Sequence, residues 1–156
     1  MLTTLAAPAF ADIWHIENGD ITVKAGETKG TNKVSQGTTI DKVDTNTIIT
    51  GTSDTNTVTI DTSKGNVDVT FDDLNIDASS RNEAAMSVTG SGNTTIKLDG
   101  DNHLTGGNGR SGIDSNGSLT ISGGTVEANG GNGNSGGDGI TSNGGVTISG
   151  GSTVTA

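Results

Sequence analysis

Apolar residues are sparse along this chain, but they fall in short alternating runs. Val67-Val69-Phe71, Leu119-Ile121 and Val146-Ile148 each place an apolar side chain at every second position. That is the period of a strand with one buried face. No window shows a convincing 3.6-residue apolar period, so almost no helix is expected. The runs also repeat. Met86, Ile113 and Ile140 are 27 residues apart, in the matched segments Ala85-Met86-Ser87-Val88, Gly112-Ile113-Asp114-Ser115 and Gly139-Ile140-Thr141-Ser142. Leu119-Thr120-Ile121-Ser122-Gly123-Gly124 recurs as Val146-Thr147-Ile148-Ser149-Gly150-Gly151. The step from Ile96 to Ile121 is 25, which places a shorter corner loop there.

This spacing predicts an all-β right-handed parallel β-helix, a β-solenoid of about 27 residues per coil. Three short strands per coil are expected, in the third coil Ser118–Ser122, Thr125–Ala128 and Gly139–Ser142. Leu119 and Ile121 point inward, and Gly, Asn and Ser form the corners, where sharp bends favour them. Regular coils are expected over 66–156. Residues 12–65 repeat less clearly and read as an N-terminal cap with irregular first coils, the strands lying around Ile13-Trp14-His15-Ile16, Ile21-Thr22-Val23, Ile48-Ile49 and Val58-Thr59-Ile60. The last coil has no recognisable cap, so the expectation is either a fragment of a longer chain or end-to-end self-association through the open coil. Residues 1–11 end in Ala9-Phe10-Ala11 and read as the tail of a signal peptide, which predicts a secreted or cell-surface protein.

Composition explains how so few apolar residues suffice. Only 28% of the chain is apolar and 26 of its 156 residues are Gly. Such values are typical of disordered chains, but a thin coil buries its inward side chains against its two neighbours and needs few of them. The formal net charge of -10 leaves no basic face for nucleic acid or for an anionic membrane surface. No stretch approaches the ~18 apolar residues of a membrane span. Cys is absent, so no disulfide framework exists.

Equal spacing stacks like residues on neighbouring coils. Asn75, Asn102 and Asn129 are 27 apart in each step, which predicts a structural Asn ladder or, on an outer face, a ligand-binding row. Glu83 and Arg110 share a register and predict an ion pair between coils. Asp72 stacks on Asp99, with Asp73 and Asp101 beside them. Six to eight oxygen ligands suit calcium, so this group is the leading candidate for calcium, the alternative being a solvated acidic corner. Asp114 and Asp138 form a second, weaker group. Trp14 is either part of the cap or a ring for stacking a sugar, and Phe71 follows the inward pattern. The glycine-rich runs at 106–111 and 130–135 lack the Asp of calcium-binding nonapeptides. His15 and His103 lack partners at zinc spacing, no phosphate-loop motif is present, and two histidines make no triad.

From Asn66 onward the segments Leu74-Asn75-Ile76-Asp77-Ala78-Ser79, Thr95–Thr105 and Gly137-Asp138-Gly139-Ile140 resemble the secreted carbohydrate-binding β-helix domains of clostridia and related gut bacteria. The resemblance implies a pectate-lyase-like helix, bound calcium and affinity for plant polysaccharide such as cellulose or polygalacturonate. Asp99, Asp101 and Asp138 fall within the matching segments. The leading expectation is therefore a non-catalytic, calcium-assisted module for plant cell-wall or acidic polysaccharide. The alternatives are a structural or adhesive solenoid, stalk or self-stacking fibre, and third a polysaccharide lyase.

Overall fold

The computed structural model describes residues 12–156. The signal-peptide expectation on 1–11 lies outside them. The chain opens with β1 (Ile13–His15), one 3-10 turn (Ile16–Asn18) and β2 (Ile21–Ala25). It continues through β3 (Asn32–Gln36), β4 (Thr39–Asp44), β5 (Thr47–Ser53), β6 (Val58–Asp61), β7 (Val67–Asp77) and β8 (Met86–Thr89). Then come β9 (Thr94–Thr105), β10 (Ile113–Ser115), β11 (Leu119–Asn129), β12 (Ile140–Ser142), β13 (Val146–Ser149) and β14 (Thr153–Thr155). No α-helix occurs among the described residues.

Successive coils stack in parallel into two sheets. One runs β1-β5-β7-β9-β11-β13, with β14 also on β11; the other runs β12-β10-β8-β6-β2-β3-β4. The 27-residue register is realised at Ile113, which pairs with Met86 on one side and Ile140 on the other. β-branched residues fill the inward columns because they pack well on a pleated surface. Ile21, Val58, Met86 and Ile113 stack in one column and Val69, Ile96 and Ile121 in another, all of them buried.

Where three strands per coil are expected, two of them are continuous. The first pair merges into one long bent strand, as in β7, β9 and β11. The bend is a column of left-handed residues: Gly51 (φ 102°), Asp73 (φ 46°), Gly100 (φ 66°) and Gly123 (φ 83°). The register shifts at each of these bulges, and one added residue there re-aims every side chain beyond it.

Before residue 66 the coils stack in the same two sheets, Ile13 on Ile48 and Ile21 on Val58. What obscures the repeat is the β3–β4 hairpin inserted between β2 and β5. It pairs antiparallel with β2 and forms the cap. Val34 closes the core, and Asn32 ties the hairpin to the coils by donating from Nδ2 to Thr47 Oγ1 at 3.0 Å and to the Asp68 carbonyl at 2.8 Å. Trp14 belongs to this cap. Its ring is 7% exposed, its indole N–H donates to Asp44 Oδ2 at 2.9 Å, and Lys42 lies over it. It is not available for sugar stacking, because the hairpin covers it. Phe71 is fully buried, as its alternating pattern predicts.

Candidate functional site: a polar groove along the coils

The stacked carboxylates form only in part. Asp72 does pair with Asp99 across β7 and β9. Asp73 turns to the backbone instead. Its Oδ1 accepts the Asp101 N–H at 3.0 Å, and the carboxylate lies over Gly100, where a Cβ would sit 2.1 Å from Oδ1. Asp101 is exposed on the far side of the bulge. Asp138 lies in the loop before β12, where its carboxylate accepts from the Thr141 hydroxyl at 3.3 Å. Among the described residues no group of three or more His, Asp or Glu is placed to hold a metal ion. Of the four carboxylates expected to act together, Asp72 and Asp99 form a stacked pair.

The Asn ladder does not form. Beyond the bulge Asn75 pairs with His103, and Asn102 pairs with Val126, so equal sequence spacing does not become equal register. Asn102 is turned inward and fully buried. Its Oδ1 accepts the Leu74 N–H at 2.8 Å, and its Nδ2 donates to the carbonyls of Asp99 and Thr125 at 3.1 and 3.2 Å. It pins the corner and does not face a ligand. Asn129 is exposed and donates to Glu127 at 3.0 Å. Amide contacts between coils occur at other corners. Asn66 Oδ1 accepts the Asn93 N–H at 2.9 Å, and Asn143 donates to Asn116 at 3.2 Å. The Glu83–Arg110 pair is replaced as well. Arg81 holds Glu83 and Asp20, each at 2.7 Å.

The same register shift builds a groove that the repeat does not announce. Thr52, Asn75 and His103 come into one outward column across β5, β7 and β9. Glu17, Asp54, Asn56, Asp77 and Thr105 are among the other residues that line a cavity of about 460 Å³ there. The lining draws on four successive coils, so the groove runs along the stack for about 14 Å at ~4.8 Å per coil.

Its walls are held by their own hydrogen bonds. Glu17 Oε1 accepts the Thr52 N–H at 2.8 Å, and its carboxylate lies over Gly51, where no Cβ would fit. That backbone hydrogen bond lowers the Glu17 pKa, helped by its own N–H and by the charge of His15. The Ser79 hydroxyl and N–H donate to Asp77 and lower its pKa likewise. Asn75 donates one amide hydrogen to the Asp73 carbonyl at 3.3 Å. His103 Nδ1 lies 3.5 Å from Glu127 Oε2, which orients the ring. Chemically this is an open trough of hydroxyls, two amides, carboxylates and one imidazole, with Ile76 among its lining.

Of the site residues expected from sequence, only Asn75 lines it. His103, Thr52, Glu17 and Asp77 were missed, because their alignment depends on the bulges. No protein-family model, no curated protein and no solved structure matches the chain.

Proposed function

We propose that this chain is a non-catalytic saccharide-binding solenoid acting outside the cell, with the Thr52–Asn75–His103 groove as its site. The observation that carries this reading is the groove itself. A linear sugar presents a repeated row of hydroxyls, and a trough of donors and acceptors from four coils fits such a row better than a compact metabolite. Carboxylates fix sugar hydroxyls by accepting charge-assisted hydrogen bonds. The likeness to carbohydrate-binding β-helix domains points to the same class of ligand. External location rests on the signal-like residues 1–11.

The charge selects among polysaccharides. Glu17, Asp54 and Asp77 surround the groove on a chain of net charge -10. A neutral chain such as cellulose fits, and polygalacturonate meets repulsion. Calcium enters only through Asp72 and Asp99, whose mutual repulsion a bound cation would relieve. A melting midpoint that rises with millimolar calcium supports it, and an unchanged midpoint removes calcium from the account.

Calorimetric titration with cello-oligosaccharides tests the reading. Saturable binding is expected, lost in Asn75→Ala/His103→Ala while the circular dichroism spectrum stays unchanged. No binding by the parent chain overturns it.

A further inference from the structure

The cations of this chain are not spread evenly. Eight Lys and Arg stand against 18 Asp and Glu, and ion pairs hold half of the cations. Lys24 meets Asp41 at 3.5 Å, Lys33 meets Glu27 at 3.2 Å and Lys42 meets Asp12 at 3.0 Å, while Arg81 bridges Asp20 and Glu83. Lys29, Lys64, Lys97 and Arg110 enter no ion pair among the described residues. Lys64 acts on Asp61 only as a longer-range charge.

Three of those four line one trough. Between the β2–β3 loop and the corner before β7 lies a hollow of about 440 Å³, lined by Lys29 and Lys64 together with Asn66, Asn93 and Thr95. A second hollow of about 300 Å³ continues it over the outer face of the first sheet. There Lys97 stands between Thr70 and Ser122 in one outward row across β7, β9 and β11. The two hollows share Gly30, Asn32, Asp68 and Thr95. Their corner amides are fixed: Asn66 Oδ1 accepts the Asn93 N–H at 2.9 Å, and Asn93 Oδ1 accepts the Ser118 and Thr120 hydroxyls at 2.9 and 3.3 Å. Of the acids there, Glu27 is held by Lys33. Asp68 is then the one carboxylate left along the trough beside three ammonium groups.

We propose that this trough is a second binding site, for a linear glycan that carries anionic groups at intervals. The choice of a sugar backbone rests on the saccharide reading; the choice of charge rests on the trough alone. The three lysines come from a loop, a corner and a strand, so they suit charges spread along a ligand better than one compact oxyanion. An ammonium group is a point charge that demands no fork geometry, and it takes a carboxylate or a sulfate alike. The Asn and Thr side chains between the lysines serve sugar hydroxyls. Nucleic acid fits less well, because no aromatic side chain lines the trough to stack a base. The net charge does not forbid the site. At a screening length of about 8 Å in physiological salt, the nearby lysines outweigh distant acids. The groove at Thr52, Asn75 and His103 repels such a chain, so the two sites divide ligands by charge.

Calorimetric titration at low salt with oligogalacturonate and with a sulfated dextran oligomer tests this, the first carrying carboxylates and the second sulfates. Binding of one or both is expected, weakening as salt is added, and the ligand that binds names the anionic group. Lys29→Gln/Lys64→Gln should weaken it about tenfold through the loss of two exposed ion pairs, with an unchanged circular dichroism spectrum. Lys42→Gln/Arg110→Gln removes the same two charges outside the trough and should leave the affinity unchanged. No binding of either glycan overturns the site, as does an equal loss in both variants. Binding of a DNA oligonucleotide in place of both glycans overturns the choice of sugar. Asn75→Ala/His103→Ala should leave this binding intact, and a loss there moves the ligand to the groove and overturns the trough. The lysine variant should keep its binding of cello-oligosaccharide, so failure of one site is read separately from failure of the other.

Discussion

Asn102 and Asn129 share a residue type and a 27-residue spacing, and they have opposite roles. Asn102 is buried and makes three hydrogen bonds to backbone, so Asn102→Ala strands the Leu74 N–H and two carbonyls inside the corner. A loss of about 2–3 kcal/mol is expected, read from urea unfolding. Asn129→Ala changes an exposed side chain and should stay within about 0.5 kcal/mol. Carboxylates add a pH dependence. Asp61 and Asp77 have pKa values lowered chiefly by the side-chain hydroxyls of Ser63 and Ser79, and Glu17 by the Thr52 N–H. A lowered folded-state pKa contributes stability above the unfolded value, lost as pH falls through the folded one. The melting midpoint should therefore be flat near neutrality and fall below about pH 4. In Asp77→Asn the fall should be shallower. The outcomes for Asn102 and Asn129 could not be separated from the sequence, since both follow a strand-like run. The bulges at Gly100 in β9 and at Gly123 in β11 decide which way each amide faces, and neither leaves a mark in the 27-residue period.

Strands were the most legible feature, because a coil has one inside and alternation reports it directly. Leu119 and Ile121 were assigned inward from sequence, and both are buried in core columns, with Ile148 standing over Ile121. Their energetic weights differ with what covers them. Ile121→Ala is expected to cost about 2–5 kcal/mol and Ile148→Ala less than about 1, although they are neighbours in one column. Parallel denaturation curves distinguish them. The loops behave differently from the strands, since the glycine-rich turns stack backbone on backbone. A Cβ on Gly131 would lie 1.7 Å from the Gly107 carbonyl oxygen, so Gly131→Ala should destabilise by roughly 1–3 kcal/mol through overpacking. The cap was legible as a need but not as a shape. Residues 32–44 carry only Val34, Ile40 and Val43 as apolar positions, at uneven spacing, and the antiparallel pairing of β2 with β3 turns them across the end.

For the molecule as a whole, period and composition were enough to reveal the solenoid, because a stacked coil imposes one rule on every turn. The groove was not legible, because it lies past the bulges, in columns the period does not predict. Thr52, Asn75 and His103 are unremarkable in sequence and adjacent only once register has slipped. The same slip removes the Asn ladder and leaves the aspartates as a stacked pair. The candidate groove is therefore built by the exceptions to the repeat. The measurement that tests this most directly is a two-dimensional NMR titration of the labelled chain with a cello-oligosaccharide. The account predicts amide shifts confined to Thr52, Asn75, Asp77, His103 and Thr105, with the Asn102 corner and the last coil unmoved. Shifts centred on Asp72 and Asp99, or none at saturating sugar, would contradict it.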